Sequence, residues 1–165
     1  MQAEPQPTGS RSVWAIGDSI MVGAETHLRE LVPGIVLDAE PGRAAVEGID
    51  ALDGMLSTGD VPEVLVFALG TNAGATPAQI DRVMEMAAGI DEVVFVNVTV
   101  PRDWEDSTNA AIADAVDRYG NATLVDWNRE SRDQSQLFRS DGFHPNATGS
   151  ERWANLIVIQ VKSPG

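Results

Sequence analysis

Apolar residues follow two patterns along the chain: short unbroken runs, and longer segments in which they return every three or four positions. The runs Val13–Ile16, Ile35–Ala39, Val64–Leu69, Val93–Thr99 and Thr123–Trp127 predict strands. Val64-Leu65-Val66-Phe67-Ala68-Leu69 is apolar at every position, as is Val93-Val94-Phe95-Val96. Such runs suit parallel strands covered on both faces. The helical pattern occupies Ile20–Leu31, ending before Pro33-Gly34, and Ala44–Leu56. It returns from Thr76 to Gly89, with Pro77 in the first turn and Gln79 placed for a capping box. Ser107–Tyr119, stopped by Gly120, and Thr148–Val161 complete the set. Strand and helix alternate five times. That order predicts an α/β fold, a three-layer α/β/α sandwich around a mostly parallel five-stranded sheet.

In such a fold the loops after the strands gather on one edge of the sheet, where ligands bind. Those loops carry Ser19, Gly42-Arg43, Asn72, Arg102-Asp103-Trp104 and the segment after Trp127. Gly17-Asp18-Ser19 places a hydroxyl at the junction of a strand and a helix. The first free N–H groups of that helix can hold a developing negative charge. This is the setting a nucleophile in acyl transfer requires.

Composition narrows the chemistry. The chain has 165 residues, enough for one domain, and a formal charge of -14. An acidic surface repels phosphates, so nucleic acid and anionic lipid are set aside as partners. Cysteine is absent, which removes thiolate nucleophiles, thiolate metal sites and disulfides. The single lysine, Lys162, stands three residues from the end, and no Gly-Lys-Ser/Thr phosphate loop exists. No apolar run is long enough to span a membrane, and no cofactor or metal cluster is suggested. Residues 1–11, rich in Pro and Gln, lack the apolar stretch of a signal peptide and read as a linker or tail. Residues 12–165 are then the domain. The expectation is that it was cut from a longer protein, with Met1 added.

A serine nucleophile needs a base, and His27 and His144 are the two histidines. His27 lies about two helical turns beyond Ser19 and should point away from it. His144 sits in Asp141-Gly142-Phe143-His144-Pro145. A turn there would let Asp141 orient one ring nitrogen and leave the other for Ser19; it is equally an ordinary helix-start turn. Asn72 could donate its amide to an oxyanion or simply shape a turn. Gly42 admits a close backbone N–H, or only bends the chain. Asp18 is expected to organise the turn after the first strand. Arg102 and Trp104 could line a cleft or staple a loop. Trp14, Trp127 and Trp153 are expected in the core.

Gly17-Asp18-Ser19, Gly42, Gly70-Thr71-Asn72 and Asp141-Gly142-Phe143-His144-Pro145, in this order, resemble the four blocks of the SGNH (GDSL-like) hydrolase superfamily. The resemblance covers nearly the whole chain. It implies the flavodoxin-like SGNH hydrolase fold and a catalytic Ser19–His144–Asp141 triad. It also implies an oxyanion hole from the Ser19 and Gly42 backbone N–H groups and the Asn72 side chain. Ala73 stands where many members carry aspartate, which argues against the lysophospholipase and thioesterase branch. Gly42-Arg43, Val100-Pro101-Arg102-Asp103-Trp104-Glu105 with Asn109, and Val125-Asp126-Trp127 are similar instead to SGNH domains fused to membrane acyltransferases, including peptidoglycan O-acetyltransferases. Pro145 departs from the aliphatic residue often found there.

That branch implies serine-dependent O-acetyl transfer to a cell-wall or surface glycan, with simple ester hydrolysis as the alternative. Arg43, Arg102 and Trp104 would be substrate-binding residues. The domain would work outside the membrane, after an N-terminal membrane acyltransferase domain and a linker. A non-catalytic glycan-binding module would need a degraded triad. Aspartate-based phosphoryl transfer at Asp18 lacks a well-placed lysine and paired acids.

Overall fold

The fully apolar runs become the middle strands of a five-stranded sheet. A computed structural model describes residues 10–163, so most of the tail read at residues 1–11 lies outside the described residues. The strands are β1 (Val13–Gly17), β2 (Val36–Ala39), β3 (Val64–Ala68), β4 (Glu92–Val96) and β5 (Ala122–Val125). Between them run α1 (Ser19–Leu31), α2 (Ala45–Leu56), α3 (Pro77–Met86) and α4 (Glu105–Arg118). α5 (Trp127–Ser131), a 3-10 turn at Ser135–Leu137 and α6 (Ala147–Lys162) follow.

The strand order is β2-β1-β3-β4-β5, and all four pairings are parallel. The chain steps from β1 outward to β2, then reverses past β1 to β3. Right-handed crossovers therefore put α1 on one face and α2, α3 and α4 on the other. α6 returns to pack on α1. Val64, Val66, Val94 and Val96 pack toward α1 and α6, whereas Leu65, Phe67, Val93 and Phe95 pack toward α2–α4. Phe67 and Phe95 meet edge-on with centroids 6.1 Å apart, an arrangement worth about 0.5–1.5 kcal/mol beyond the area it buries. α3 begins with the capping box read from sequence: Thr76 Oγ1 accepts from Gln79 N–H at 3.2 Å, and Gln79 Oε1 accepts from Thr76 N–H at 2.9 Å.

Three expectations need correction. β4 stops at Val96 rather than Thr99 because both backbone polar groups of Val98 are taken by the Asn109 side chain, each at 2.9 Å. β5 stops at Val125, and Trp127 opens α5, a helix the apolar run concealed. Asp126 caps it, accepting from Arg129 N–H at 3.0 Å. Trp14 is half-buried against the α2–α4 face, while Trp127 and Trp153 are buried on the other.

The chain is held at its first described turn. Arg11 donates to the buried Glu92 at 2.7 Å and to the carbonyls of Val161 and Ser163 at the end of α6. Desolvation pushes the Glu92 carboxyl up, but Gln160, Thr123 and Arg11 outweigh it and bring it below its usual value. Arg11→Ala should therefore cost about 1–3 kcal/mol in chemical denaturation at pH 7, because Glu92 loses its cation. A depressed carboxyl stabilises above its ordinary pKa and loses that contribution as pH falls. The gap between wild type and variant should accordingly narrow at pH 3.

Candidate active site

The strand order reverses between β1 and β3 while all strands run parallel, so the loops after β1, β2 and β3 lie side by side at the C-terminal edge of the sheet. Ser19 is the first residue of α1. Its helix start is fixed by Asp18, whose Oδ1 accepts from Ile20 N–H at 2.9 Å. The Ser19 N–H itself belongs to the helix turn that has no intrahelical acceptor.

Opposite it, the chain between the 3-10 turn and α6 is folded back on itself. Phe138 and Pro145 form a bridge, and Arg139 N–H donates to His144 C=O at 2.8 Å. Asn146 clamps the base of this loop. It caps α6 by accepting from Gly149 N–H at 3.0 Å and donates to Gln136 C=O at 2.7 Å. At the tip, Gly142 takes φ +82°. Asp141 Oδ1 then accepts from the backbone N–H of Phe143 and of His144, at 3.0 and 2.9 Å.

The remaining contacts complete a relay. Asp141 Oδ2 accepts from His144 Nδ1–H at 2.7 Å, and His144 Nε2 lies 2.9 Å from Ser19 Oγ, positioned to accept its proton. Desolvation raises the Asp141 carboxyl, but the two backbone donors and the imidazole outweigh it and bring it down to about 2. It stays ionised at any working pH and fixes the tautomer that leaves Nε2 free to take a proton. Phe143 stacks on His144 with centroids 4.3 Å apart. His27, elsewhere on α1, is not part of the relay.

Of the other site residues expected from sequence, Asn72 donates one amide hydrogen to Arg43 C=O at 3.2 Å, which ties the β3 loop to the β2 loop. Its second amide hydrogen is not used by that bond. Gly42 is exposed with φ +76°, a conformation that a side chain would strain. Arg43 is buried, and its guanidinium bonds Asp38 twice, to C=O and to Oδ1, both at 2.9 Å. Trp104 donates to Thr71 C=O at 3.2 Å. Arg102 is exposed, bonded to Pro101 C=O and 5.9 Å above the Phe143 ring. Beside the Asp141 end of the relay runs a groove of about 540 Å³, bordered by Thr99, Arg132, Phe138, Arg139 and Gly142. A second hollow of about 360 Å³ shares Arg132 and Gly142 and continues past Arg102. Among the described residues no group of three His, Asp or Glu side chains is arranged to hold a metal ion.

Sequence reasoning missed the frame around these loops. Asn97 Nδ2 donates to Asp126 at 2.7 Å, its Oδ1 accepts from Asn128 N–H, and Asn128 Nδ2 reaches Val98 C=O. The signal was the aspartate ahead of Trp127, a helix cap hidden behind a strand-like run.

No protein-family model matches the chain. Curated relatives do. The chain is 34% identical over 144 residues to the peptidoglycan O-acetyltransferase OatA of Listeria monocytogenes, covering 87% of this chain and 23% of that protein. It is 30% identical over 154 residues to a putative peptidoglycan O-acetyltransferase of Bacillus subtilis, covering 93% and 24%. The chain thus spans about a quarter of the length of these relatives. Among solved structures, the C-terminal catalytic domain of Streptococcus pneumoniae peptidoglycan O-acetyltransferase A matches with a TM-score of 0.78 at 18% identity, covering 91% of this chain and 92% of that one. A GDSL-like lipase of Bacteroides thetaiotaomicron matches with a TM-score of 0.71, also at 18% identity, covering 98% and 92%. The fold is that of the SGNH (GDSL-like) hydrolases. Within that class, the chain is similar over most of its length to one segment of peptidoglycan O-acetyltransferases.

Asp18 is 1% exposed, and burial pushes its carboxyl up to about 6 against the opposing pull of Ile20 N–H, Thr71 and His144. A raised carboxyl stabilises below its ordinary pKa and loses that contribution as pH climbs through the folded value. Asp18→Asn keeps an oxygen for Ile20 without the buried charge. Relative to wild type it should gain on the order of 1–3 kcal/mol between pH 4 and pH 8, measured by thermal unfolding at both.

Proposed function

We propose that this chain is the catalytic domain of a serine-dependent O-acetyltransferase acting on peptidoglycan. The observation that carries the reading is the hydrogen-bonded line from Ser19 Oγ through His144 to Asp141, set at a helix N-terminus. Ser19 attacks the acetyl carbonyl while His144 Nε2 takes its proton, and Asp141 stabilises the imidazolium that forms. The negative charge on the tetrahedral oxygen falls to Ser19 N–H, Gly42 N–H and the amide hydrogen of Asn72 not held by Arg43 C=O. Collapse leaves an acetyl-enzyme and releases the donor, protonated by His144. A glycan hydroxyl, deprotonated by His144, then attacks the acetyl group and restores Ser19.

The names of the relatives support peptidoglycan as acceptor, and the groove beside Asp141, continued by the hollow past Arg102, suits a sugar chain. The relatives' greater length supports a further N-terminal membrane acyltransferase domain, with this domain outside the membrane. No described helix is long and apolar enough to cross one. Of the substrate-binding residues expected from sequence, Arg102 is the one left exposed at the groove. The engagement of Arg43 with Asp38 and of Trp104 with Thr71 favours positioning roles for both.

Hydrolysis is the second reading. It is favoured by the solvent exposure of His144 and Asp141, 30% and 39% of their side-chain surface, since water can then serve as acceptor. The test is acetyl release from p-nitrophenyl acetate with and without a peptidoglycan oligosaccharide. Ser19→Ala should abolish release while leaving the fold intact. Asn72→Ala should lower the rate by about 10²–10³, as for one oxyanion donor. Asp141→Asn should lower it by about 10⁴. Full activity in the serine variant would overturn the mechanism, and release indifferent to every oligosaccharide would favour hydrolysis.

A further inference from the structure

Two polar atoms behind the nucleophile are buried with no hydrogen-bond partner in the described chain: Asp18 Oδ2 and Trp127 Nε1. Their residues lie far apart in the sequence, yet both line one small hollow of about 10 Å³ among buried side chains, which Thr71 and Asn97 also border. The polar groups of Asn97 are already engaged by Asp126 and Asn128. Orphaned buried donors and acceptors are rare, because each costs roughly 1–3 kcal/mol. A cavity of about one probe volume, with two to four polar partners, is the size and chemistry that holds one water molecule.

We infer that one buried water joins the Trp127 indole to the Asp18 carboxylate, making both residues positioning residues for Ser19. The water accepts from Trp127 Nε1–H and donates to Asp18 Oδ2, beside the Thr71 side chain that also acts on this carboxyl. The carboxylate is then satisfied on both oxygens: Ile20 N–H on Oδ1, water on Oδ2. This fixes the turn that aims the Ser19 hydroxyl and backbone N–H. It also keeps a second negative charge within reach of His144, the charged group that acts on Asp18. The link reaches the site from α5 and requires no contact with substrate.

The kinetic part rests on the acyl-transfer reading; the structural part does not, so the two fail separately. A crystal structure of the unaltered domain, at a resolution that orders internal waters, should place one water within hydrogen-bond distance of both atoms. A dry cavity, or a direct Asp18–Trp127 bond, would overturn the inference. Trp127→Phe keeps the ring and deletes the donor. With p-nitrophenyl acetate its kcat should fall about three- to tenfold, the rate equivalent of one ordinary hydrogen bond. KM should hold, and the acid limb of kcat should move to higher pH, because Asp18 becomes harder to ionise. A folded variant with unchanged kcat and pH profile would refute the positioning role. Should the variant not fold, the crystallographic result decides.

Discussion

The junction of β1 and α1 must satisfy two demands within three residues. The strand has to turn into a helix that packs directly on the sheet, and the first helical residue has to stay accessible. Gly17 meets the first: a Cβ there would fall 2.6 Å from Met21 Cβ, well inside contact distance. Asp18 meets the second. Its side chain takes the Ile20 N–H, so the cap is formed by a residue pointing inward, and Ser19 is left facing the cleft. A buried carboxylate is a costly cap, and the usual reason to tolerate such cost is local precision at a reacting group.

The rest of the site is brought to that junction by tethers remote in sequence. His144 lies 125 positions from Ser19, and closing so long a loop is entropically expensive. The cost is met by structure outside the relay. Asn146 binds both the start of α6 and the 3-10 turn, and Gly149 lets α6 press against the Leu137 carbonyl. Asn72 performs the same service between the second and third loops. Three asparagine side chains thus reinforce the few backbone bridges between these loops: Asn146, Asn72 and Asn97.

What could be read from the sequence follows from which interactions are local. The central strands declared themselves because burial on both faces leaves an uninterrupted apolar run, and α3 because its capping box is contained in four residues. The Gly17-Asp18-Ser19 turn and the Asp141–His144 pair were visible for the same reason: each is a short motif whose geometry is set within itself. α5 was lost because Trp127 reads equally as the end of a strand or the start of a helix, and only tertiary contacts decide. The placements of Arg43 and Trp104 were equally out of reach. A sequence gives their capacity to bond a ligand; the structure commits Arg43 to Asp38 and the Trp104 indole to Thr71. Asp18 could be read as a turn former, whereas its raised carboxyl comes from burial in the folded chain and from the opposing charge of His144, more than a hundred residues away.

On the acyl-transfer reading, the open end of the relay sets a further constraint. His144 and Asp141 reach solvent, so an acetyl group on Ser19 is not shielded from water by depth of burial. Transfer must then prevail through occupancy. A sugar hydroxyl held beside the acetyl carbonyl has an effective molarity orders of magnitude above that of a free alcohol, and water lacks that advantage because nothing positions it. The groove flanking Asp141 is the candidate place for such holding. Its rim carries Arg132 and Arg139 on a chain of net charge -14, with Arg102 close by. Asp133, Asp103 and Asp106 alternate with these arginines, so the acceptor has to be held by hydrogen bonds to individual side chains and not by a field of one sign.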